Sequence, residues 1–154
     1  MAKFDLVATG GTFDIIHKGH FELLTKSFSI SSKVIIGLTS DEMLKNIRKK
    51  CKNNYSKRHE VLESFLKKNF PNSSYQISKL DNNFGPAVLE GNVQALVASE
   101  ETSSKGKLLN SLRAEKNLSP VEIIIVPMVL AKDGSRISTT RIRNSEIDEE
   151  GNLS

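Results

Sequence analysis

The sequence predicts an α/β fold, a five-stranded parallel sheet doubly wound by helices, and two observations lead to this prediction. Five short segments are continuously apolar rather than alternating, which is typical of parallel strands buried on both faces. Stretches with helical spacing lie between them, and an alternation of strand and helix favours right-handed crossovers around one sheet. The predicted strands cover residues 4–9, 34–39, 75–80, 95–98 and 121–126.

Helices are predicted where apolar residues recur three and four positions apart. One lies after the first strand, one before the third, and one over residues 105–116. Ser40-Asp41 offers a cap for a further helix after the second strand, and Gly85-Pro86 starts a short helix before the fourth. The apolar positions are Phe21, Leu24 and Phe28 in the first, Val61, Leu62, Phe65 and Leu66 in the second, and Leu108, Leu109 and Leu112 in the last.

Length and composition bound the class of protein. A chain of 154 residues with 38% hydrophobic residues suits one Rossmann-like domain, 1–154, whose acidic tail from about residue 149 we expect to fray. A net charge of +4 with 6% aromatic residues does not indicate a nucleic-acid partner. The lone Cys51 excludes an intrachain disulfide, and no apolar run could span a bilayer. We therefore expect a cytoplasmic protein without a membrane partner.

The residues after the first predicted strand form a candidate phosphate site. Ligands bind at the carboxyl ends of parallel strands, and Gly10-Gly11 lets the backbone turn tightly and approach a ligand. The next helix begins near Lys18, so its free N–H groups and dipole favour an anion. His17 and His20 lie on that first turn with Gly19 between them, where two imidazoles could stabilise charge developing on a phosphoryl group.

This segment has other possible interpretations. The two histidines could be structural, or could hold a metal, although no acidic or cysteine cluster supplies further ligands. Neither a Gly-x-Gly-x-x-Gly fingerprint nor a Walker loop occurs in the chain. Their absence argues against hydride transfer and against P-loop hydrolysis.

The first segment, Gly11-Thr12-Phe13-Asp14 followed by His17-Lys18-Gly19-His20, resembles the (G)TFD…HxGH signature of the HxGH nucleotidyltransferase superfamily. The resemblance implies that the second histidine assists attack on the α-phosphate of a nucleoside triphosphate and that the first contacts its phosphates. It further implies that the threonine orients the acceptor phosphate. We therefore predict His20 and Thr12 as catalytic, Gly10, Gly11, His17 and Gly19 as nucleotide-binding, and Thr12 and Phe13 as acceptor-binding.

Residues 137–143 form a second candidate phosphate site. Ser138, Thr139 and Thr140 offer hydroxyl and backbone donors at a predicted helix start, and Arg141 adds a guanidinium. Alone, this stretch would be interpreted as a helix cap with solvated arginines. Beside the first motif it resembles the superfamily's ISSTxxR element, which binds the ATP phosphates, with Thr139 in place of the commoner Ser.

Further stretches resemble the archaeal and eukaryotic-type phosphopantetheine adenylyltransferases, at residues 37–41, 84–87, 99–102 and 133–143. This resemblance implies transfer of AMP from ATP to 4′-phosphopantetheine, giving dephospho-CoA and pyrophosphate. Phe84 would shape the acceptor pocket, although a buried Phe beside a turn would look the same. The shared motifs leave two alternatives open: another HxGH transferase, such as glycerol-3-phosphate cytidylyltransferase or FAD synthetase, and a nucleotide-binding module without catalysis.

Basic residues outside the two motifs are further candidates for phosphate contacts. Related enzymes carry a lysine after the second strand that reaches the transferring phosphates, and Lys49 or Lys45 could fill that role; we predict Lys49 as catalytic and acceptor-binding. Arg113 resembles the family's Asn-x-x-Arg element and is predicted to be nucleotide-binding. Arg58 and His59 are expected at the surface.

The same resemblance sets expectations for ligands and assembly. Mg²⁺ is expected, carried mainly by the ATP phosphates, since this strongly hydrated ion needs few protein ligands; no protein metal site is predicted. The expected small molecules are ATP, 4′-phosphopantetheine and dephospho-CoA or CoA. A monomer is favoured, with a small homo-oligomer as the alternative.

Overall fold

The computed structural model describes residues 3–46, 52–81, 92–99, 104–127 and Ile142. Helices and strands alternate along these residues, except that two helices follow the second strand and that no helix is described between the third strand and the fourth. Predictions for the short helix at Gly85-Pro86 and for the tail lie outside the described residues. The elements are β1 (Phe4–Gly11), α1 (Lys18–Ile30), β2 (Ser31–Thr39), α2 (Asp41–Asn46), α3 (Tyr55–Asn69), β3 (Tyr75–Leu80), β4 (Ala95–Ser99), α4 (Ser104–Glu115) and β5 (Glu122–Val126).

The strands form one sheet in the order β3-β2-β1-β4-β5, and every pairing among the described residues is parallel. This confirms the predicted fold class. Alternate residues of each strand point to opposite faces, so Val34 and Ile36 of β2 join one apolar cluster while Ile35 joins another. The first cluster includes residues of α1 and α3, and the second includes Leu109 of α4, so helices cover both faces of the sheet.

The carboxyl edge of the sheet opens at its centre, between β1 and β4. The register of β1 with β2 continues to Gly11, whereas its register with β4 ends at the pair of Ala8 with Leu96. Beyond that pair, the hydroxyl of Thr9 donates to the carbonyl of Val97 at 2.9 Å. The strand order changes direction at this point, and in open α/β sheets the resulting crevice is where ligands bind.

A glycine is required at the end of β1 because its neighbour strand approaches closely. A Cβ atom added at Gly10 would lie 2.9 Å from the carbonyl oxygen of Gly37 on β2. That oxygen belongs to the backbone of a paired strand and cannot move without breaking the register. Gly10 therefore lets β1 and β2 stay paired up to the point where the candidate site begins.

Strand boundaries differ from the predictions by more than one residue at two strands, and one predicted helix cap is confirmed. β1 extends two residues further than expected, to Gly11, and β2 begins at Ser31 rather than Val34. The hydroxyl of Ser40 accepts from the backbone N–H of Met43 at 3.0 Å, which confirms the predicted cap of α2. Among the described residues, no helix has the length and apolar character needed to cross a membrane.

Candidate active site

Two histidines form a reciprocal cap at the start of α1. The Nδ1 atom of His17 accepts from the backbone N–H of Gly19 at 3.0 Å, and the Nδ1 atom of His20 accepts from the backbone N–H of His17 at 3.1 Å. Their rings stack with centroids 4.0 Å apart. This is a capping box, an arrangement usually made by a Ser or Thr with a Glu or Gln. Because both Nδ1 atoms accept, each neutral ring carries its proton on Nε2, a donor suited to a phosphate oxygen.

Burial determines the charge of the first histidine. Desolvation lowers the pKa of His17 from 6.5 to about 4. His17 is therefore neutral at pH 7, and any contact that it makes with a phosphate is a hydrogen bond from Nε2 rather than an ion pair. The neutral state also preserves the cap, since a protonated ring could not accept from Gly19.

The stability of the protein should consequently fall in mild acid. As the pH drops from about 6.5 towards 4, the unfolded chain binds a proton at His17 that the folded chain excludes, so the free energy of unfolding decreases by up to about 3 kcal/mol. Urea unfolding at several pH values would measure this. In His17→Asn the amide oxygen can still accept from Gly19, but nothing titrates. Superimposable pH profiles for the variant and the wild type would contradict the assignment.

Phe13 departs from its predicted role. Its ring is 1% exposed and packs in the core cluster on the α1 face, 4.8 Å from the ring of His20. Its side chain therefore cannot contact an acceptor, and the acceptor-binding prediction can hold only for its backbone. That backbone is left-handed, with φ 49°, which costs a non-glycine residue on the order of 1–3 kcal/mol. The burial of the ring holds this conformation, together with hydrogen bonds to the carbonyl groups of the two neighbouring residues, Thr12 and Asp14.

Asp14 is a residue whose role sequence reasoning missed, although it lies within the quoted motif. Its buried carboxylate accepts from the backbone N–H of Lys52 at 2.8 Å and from that of Asn53 at 3.0 Å. The side-chain amide of Asn53 donates back to the carbonyl and carboxylate of Asp14, both at 3.2 Å. The loop after β1 is thereby bonded to Lys52 and Asn53.

Arg58 corrects a second prediction, because the side chain expected at the surface is 0% exposed. Its guanidinium donates to the carbonyl oxygens of Asn53, Thr12 and Thr39 at 3.1, 3.0 and 2.7 Å, and to the carboxylate of Asp41 at 2.9 Å. The hydrogen bond from the backbone N–H of Tyr55 lowers the pKa of Asp41, and the hydrogen bond from Arg58 lowers it further. His59, by contrast, lies at the surface as expected, with its side chain 37% exposed.

Arg113 lies away from the crevice. It occupies the last turn of α4, which descends from the carboxyl end of β4 to the amino end of β5, and is 5% exposed. Its Nε donates to the carbonyl of Ser119 at 2.8 Å, while the Asn110 amide bonds both the N–H and the carbonyl of Val121. The Asn-x-x-Arg element therefore joins α4 to β5. These contacts give Arg113 a structural role, and its nucleotide-binding role stays a prediction.

The structure describes some of the remaining predicted residues and not others. Gly10, Gly11, Thr12, His17, Gly19 and His20 follow one another from the end of β1 to the first turn of α1, at the carboxyl edge of the sheet. Lys45 is exposed in the last turn of α2. Within the described ranges, no three His, Cys, Asp or Glu side chains come together to hold a metal ion. Lys49, Phe84, Ser138, Thr139, Thr140 and Arg141 lie outside the described residues, and their roles stay predictions.

Comparison with known proteins assigns this architecture to a family. The family described as "Cytidylyltransferase-like" matches residues 8–145. A relative from Methanosarcina barkeri, named phosphopantetheine adenylyltransferase, is 43% identical over 96% of this chain and 91% of its own. One of the same name from Pyrococcus abyssi is 42% identical over 99% of this chain and 97% of its own. The chain belongs to the cytidylyltransferase-like family and, within it, to the group of phosphopantetheine adenylyltransferases that these archaeal relatives represent.

Solved structures agree on the fold. A protein of unknown function from Archaeoglobus fulgidus superimposes with a TM-score of 0.71 at 27% identity, over 79% of this chain and 88% of that one. A protein from Thermoplasma volcanium, described as a lipopolysaccharide core biosynthesis protein, gives a TM-score of 0.66 at 16% identity, over 87% and 98% of the two chains. The second resemblance shows the fold alone.

Proposed function

We propose that this protein is an adenylyltransferase that moves AMP from ATP to 4′-phosphopantetheine, giving dephospho-CoA and pyrophosphate, in coenzyme A biosynthesis. The observation that carries the proposal is the histidine capping box at the switch point of the sheet, in a chain whose relatives named phosphopantetheine adenylyltransferase align over nearly its whole length. In this proposal the protein works in the cytoplasm as a monomer.

The chemistry needs positioning more than it needs a base. The acceptor is an anionic phosphate and is already a nucleophile, so the enzyme must align it with the α-phosphate and stabilise the transition state. His20 would donate from Nε2 to an oxygen of the α-phosphate, while Thr12, with Lys49, would orient the acceptor phosphate. His17 and the hydroxyl and guanidinium groups of residues 138–141 would hold the departing β- and γ-phosphates.

The nucleotide substrate in this proposal is the Mg²⁺ complex of ATP. Mg²⁺ keeps several waters and binds through substrate phosphates with few protein ligands, so the metal enters with the nucleotide. The N–H groups of His17, Gly19 and His20 are already bonded within the cap. In this proposal the start of α1 would therefore offer such a substrate the positive end of a helix dipole and the Nε2 donors of the two imidazoles.

A panel of acceptors and nucleotides tests the substrate assignment. Pyrophosphate release by the wild type would be measured with 4′-phosphopantetheine, glycerol 3-phosphate and FMN, each with ATP and with CTP. We expect release with ATP and 4′-phosphopantetheine and background rates with the other pairs. Turnover of CTP with glycerol 3-phosphate, without turnover of phosphopantetheine, would overturn the proposal; tight ATP binding with no turnover of any pair would indicate a catalytically inactive module.

A further inference from the structure

A group of three side chains beneath the candidate site has no role in the chemistry above. Asp14 lies in the segment between β1 and α1 and bonds to residues 52 and 53, while Arg58 of α3 bonds to the same segment at Thr12. Asp14, Asn53 and Arg58 are here called the loop clamp. Asp14 and Arg58 are buried, so neither side chain is placed to serve as a solvent-facing phosphate ligand. Most of their hydrogen bonds go to backbone groups of the site and of the neighbouring loop; the exceptions join Asn53 to the carboxylate of Asp14 and Arg58 to that of Asp41.

The guanidinium of Arg58 donates to backbone carbonyl groups from three separate segments of the chain. Nη1 donates to the carbonyl of Thr12 and also to that of Thr39 at the end of β2, while Nε donates to the carbonyl of Asn53. Nη2 pairs with the carboxylate of Asp41. These bonds use four of the five N–H donors of the guanidinium, and a planar fork of this kind cannot be reproduced by a lysine.

The clamp acts on both sides of the strained residue of the loop. Phe13 has a left-handed backbone; the carbonyl just before it, of Thr12, is held by Arg58, and Asp14 just after it is held by Asn53 and by the N–H of Lys52. A strained conformation persists only when its surroundings over-determine it. Removing one side of the clamp would let the loop relax and displace Thr12.

We propose that Arg58 is a positioning residue of the reaction, acting with Asp14 and Asn53 to fix Thr12 where it orients the acceptor phosphate. This inference rests on the proposed function of Thr12. It predicts an asymmetric defect: use of the acceptor should suffer, whereas binding of ATP, which falls to His17 and the second motif, should change little. A purely structural arginine would lower stability without that asymmetry.

The experiment compares Arg58→Lys with a destabilised control. Misplacing a reacting group by about 1 Å can cost on the order of 10²-fold in rate, so we expect kcat/KM for 4′-phosphopantetheine to fall by about this factor. The Kd for ATP, measured by calorimetry, should stay close to the wild-type value. Leu109→Ala removes core packing under α4 on the opposite face of the sheet. It should lower Tm but leave both constants unchanged when assayed below its Tm.

A second variant keeps the test decisive if Arg58→Lys does not fold. Asn53→Ala removes the amide bonds to Asp14 while its backbone carbonyl can still accept from Arg58, and we expect the same asymmetric defect at smaller size. The inference would be overturned if the folded variants kept the wild-type kcat/KM for 4′-phosphopantetheine. It would also be overturned if this constant and the affinity for ATP fell by the same factor. Failure of the wild type with 4′-phosphopantetheine would overturn the proposed function instead, and the clamp would then be judged on the acceptor that the wild type does use.

Discussion

The substitution His20→Asn is expected to lower kcat by roughly 10²- to 10³-fold, a loss of about 2.7–4 kcal/mol of transition-state stabilisation, because it removes one preorganised donor to the α-phosphate. The amide oxygen of Asn occupies the place of Nδ1 and can still accept from the backbone N–H of His17, so the cap survives. The free energy of unfolding should fall by only about 1 kcal/mol, the scale of a lost aromatic contact. Steady-state kinetics and urea unfolding measure the two effects.

A matched control comes from the third histidine of the chain. His59 lies on α3 at the surface, 3.8 Å from Glu63 in an ion-pair geometry, so His59→Asn should retain the wild-type kcat. His20→Ala, which loses the cap as well, should match His20→Asn in kcat and be less stable. A His20→Asn variant with wild-type turnover would remove His20 from the mechanism, and a loss confined to ATP affinity would reassign it to binding.

Gly19→Ala is expected to reduce kcat/KM by about 10²-fold, the scale of a small misplacement of catalytic groups. A Cβ at Gly19 would lie 2.8 Å from Cε1 and 3.0 Å from Nδ1 of His17, so the imidazole must turn away. That movement breaks the bond from the Gly19 N–H and the stack on His20. Stability should hardly change, because a lost cap of about 1 kcal/mol is offset by the helix propensity that Ala gains over Gly.

A double-mutant cycle separates this explanation from a general disturbance of the helix. In the His17→Asn background the smaller side chain leaves room for the added methyl, so Gly19→Ala should cost much less in kcat/KM than it does in the wild type. The coupling between the two positions is then large, as expected for residues in direct contact. Additive effects of the two substitutions would show that the methyl acts elsewhere.

The fold could be predicted because its signals are local. Continuous apolar runs such as that from Val34 mark strands buried on two faces, and a Ser before an acidic residue marks the start of α2. The end of a strand is harder to predict, because it depends on the neighbouring strand. β1 continues through Gly10 and Gly11 because β2 pairs with them. A paired glycine at a strand end looks like a turn until its partner is known.

The site was harder to predict, because it contains arginine side chains whose burial depends on partners from distant parts of the sequence. Arg58 was expected at the surface, yet it lies one and two helical turns before Leu62 and Leu66, on the buried stripe of α3. Arg113 likewise follows Leu109 by four residues on the buried stripe of α4. That spacing was a usable signal for burial. The partners, carbonyl oxygens of Thr12 and Thr39 among them, come from the tertiary fold, which no local pattern contains.

The measurement that bears most directly on the central claim is the identity of the products formed from ATP and 4′-phosphopantetheine. Nucleotidyl transfer breaks the bond between the α- and β-phosphates, whereas phosphoryl transfer releases ADP. Mass spectrometry of the wild-type reaction should find dephospho-CoA and pyrophosphate in equal amounts, and His20→Asn should form both far more slowly. ADP as the nucleotide product, or no adenylylated acceptor at all, would contradict the account.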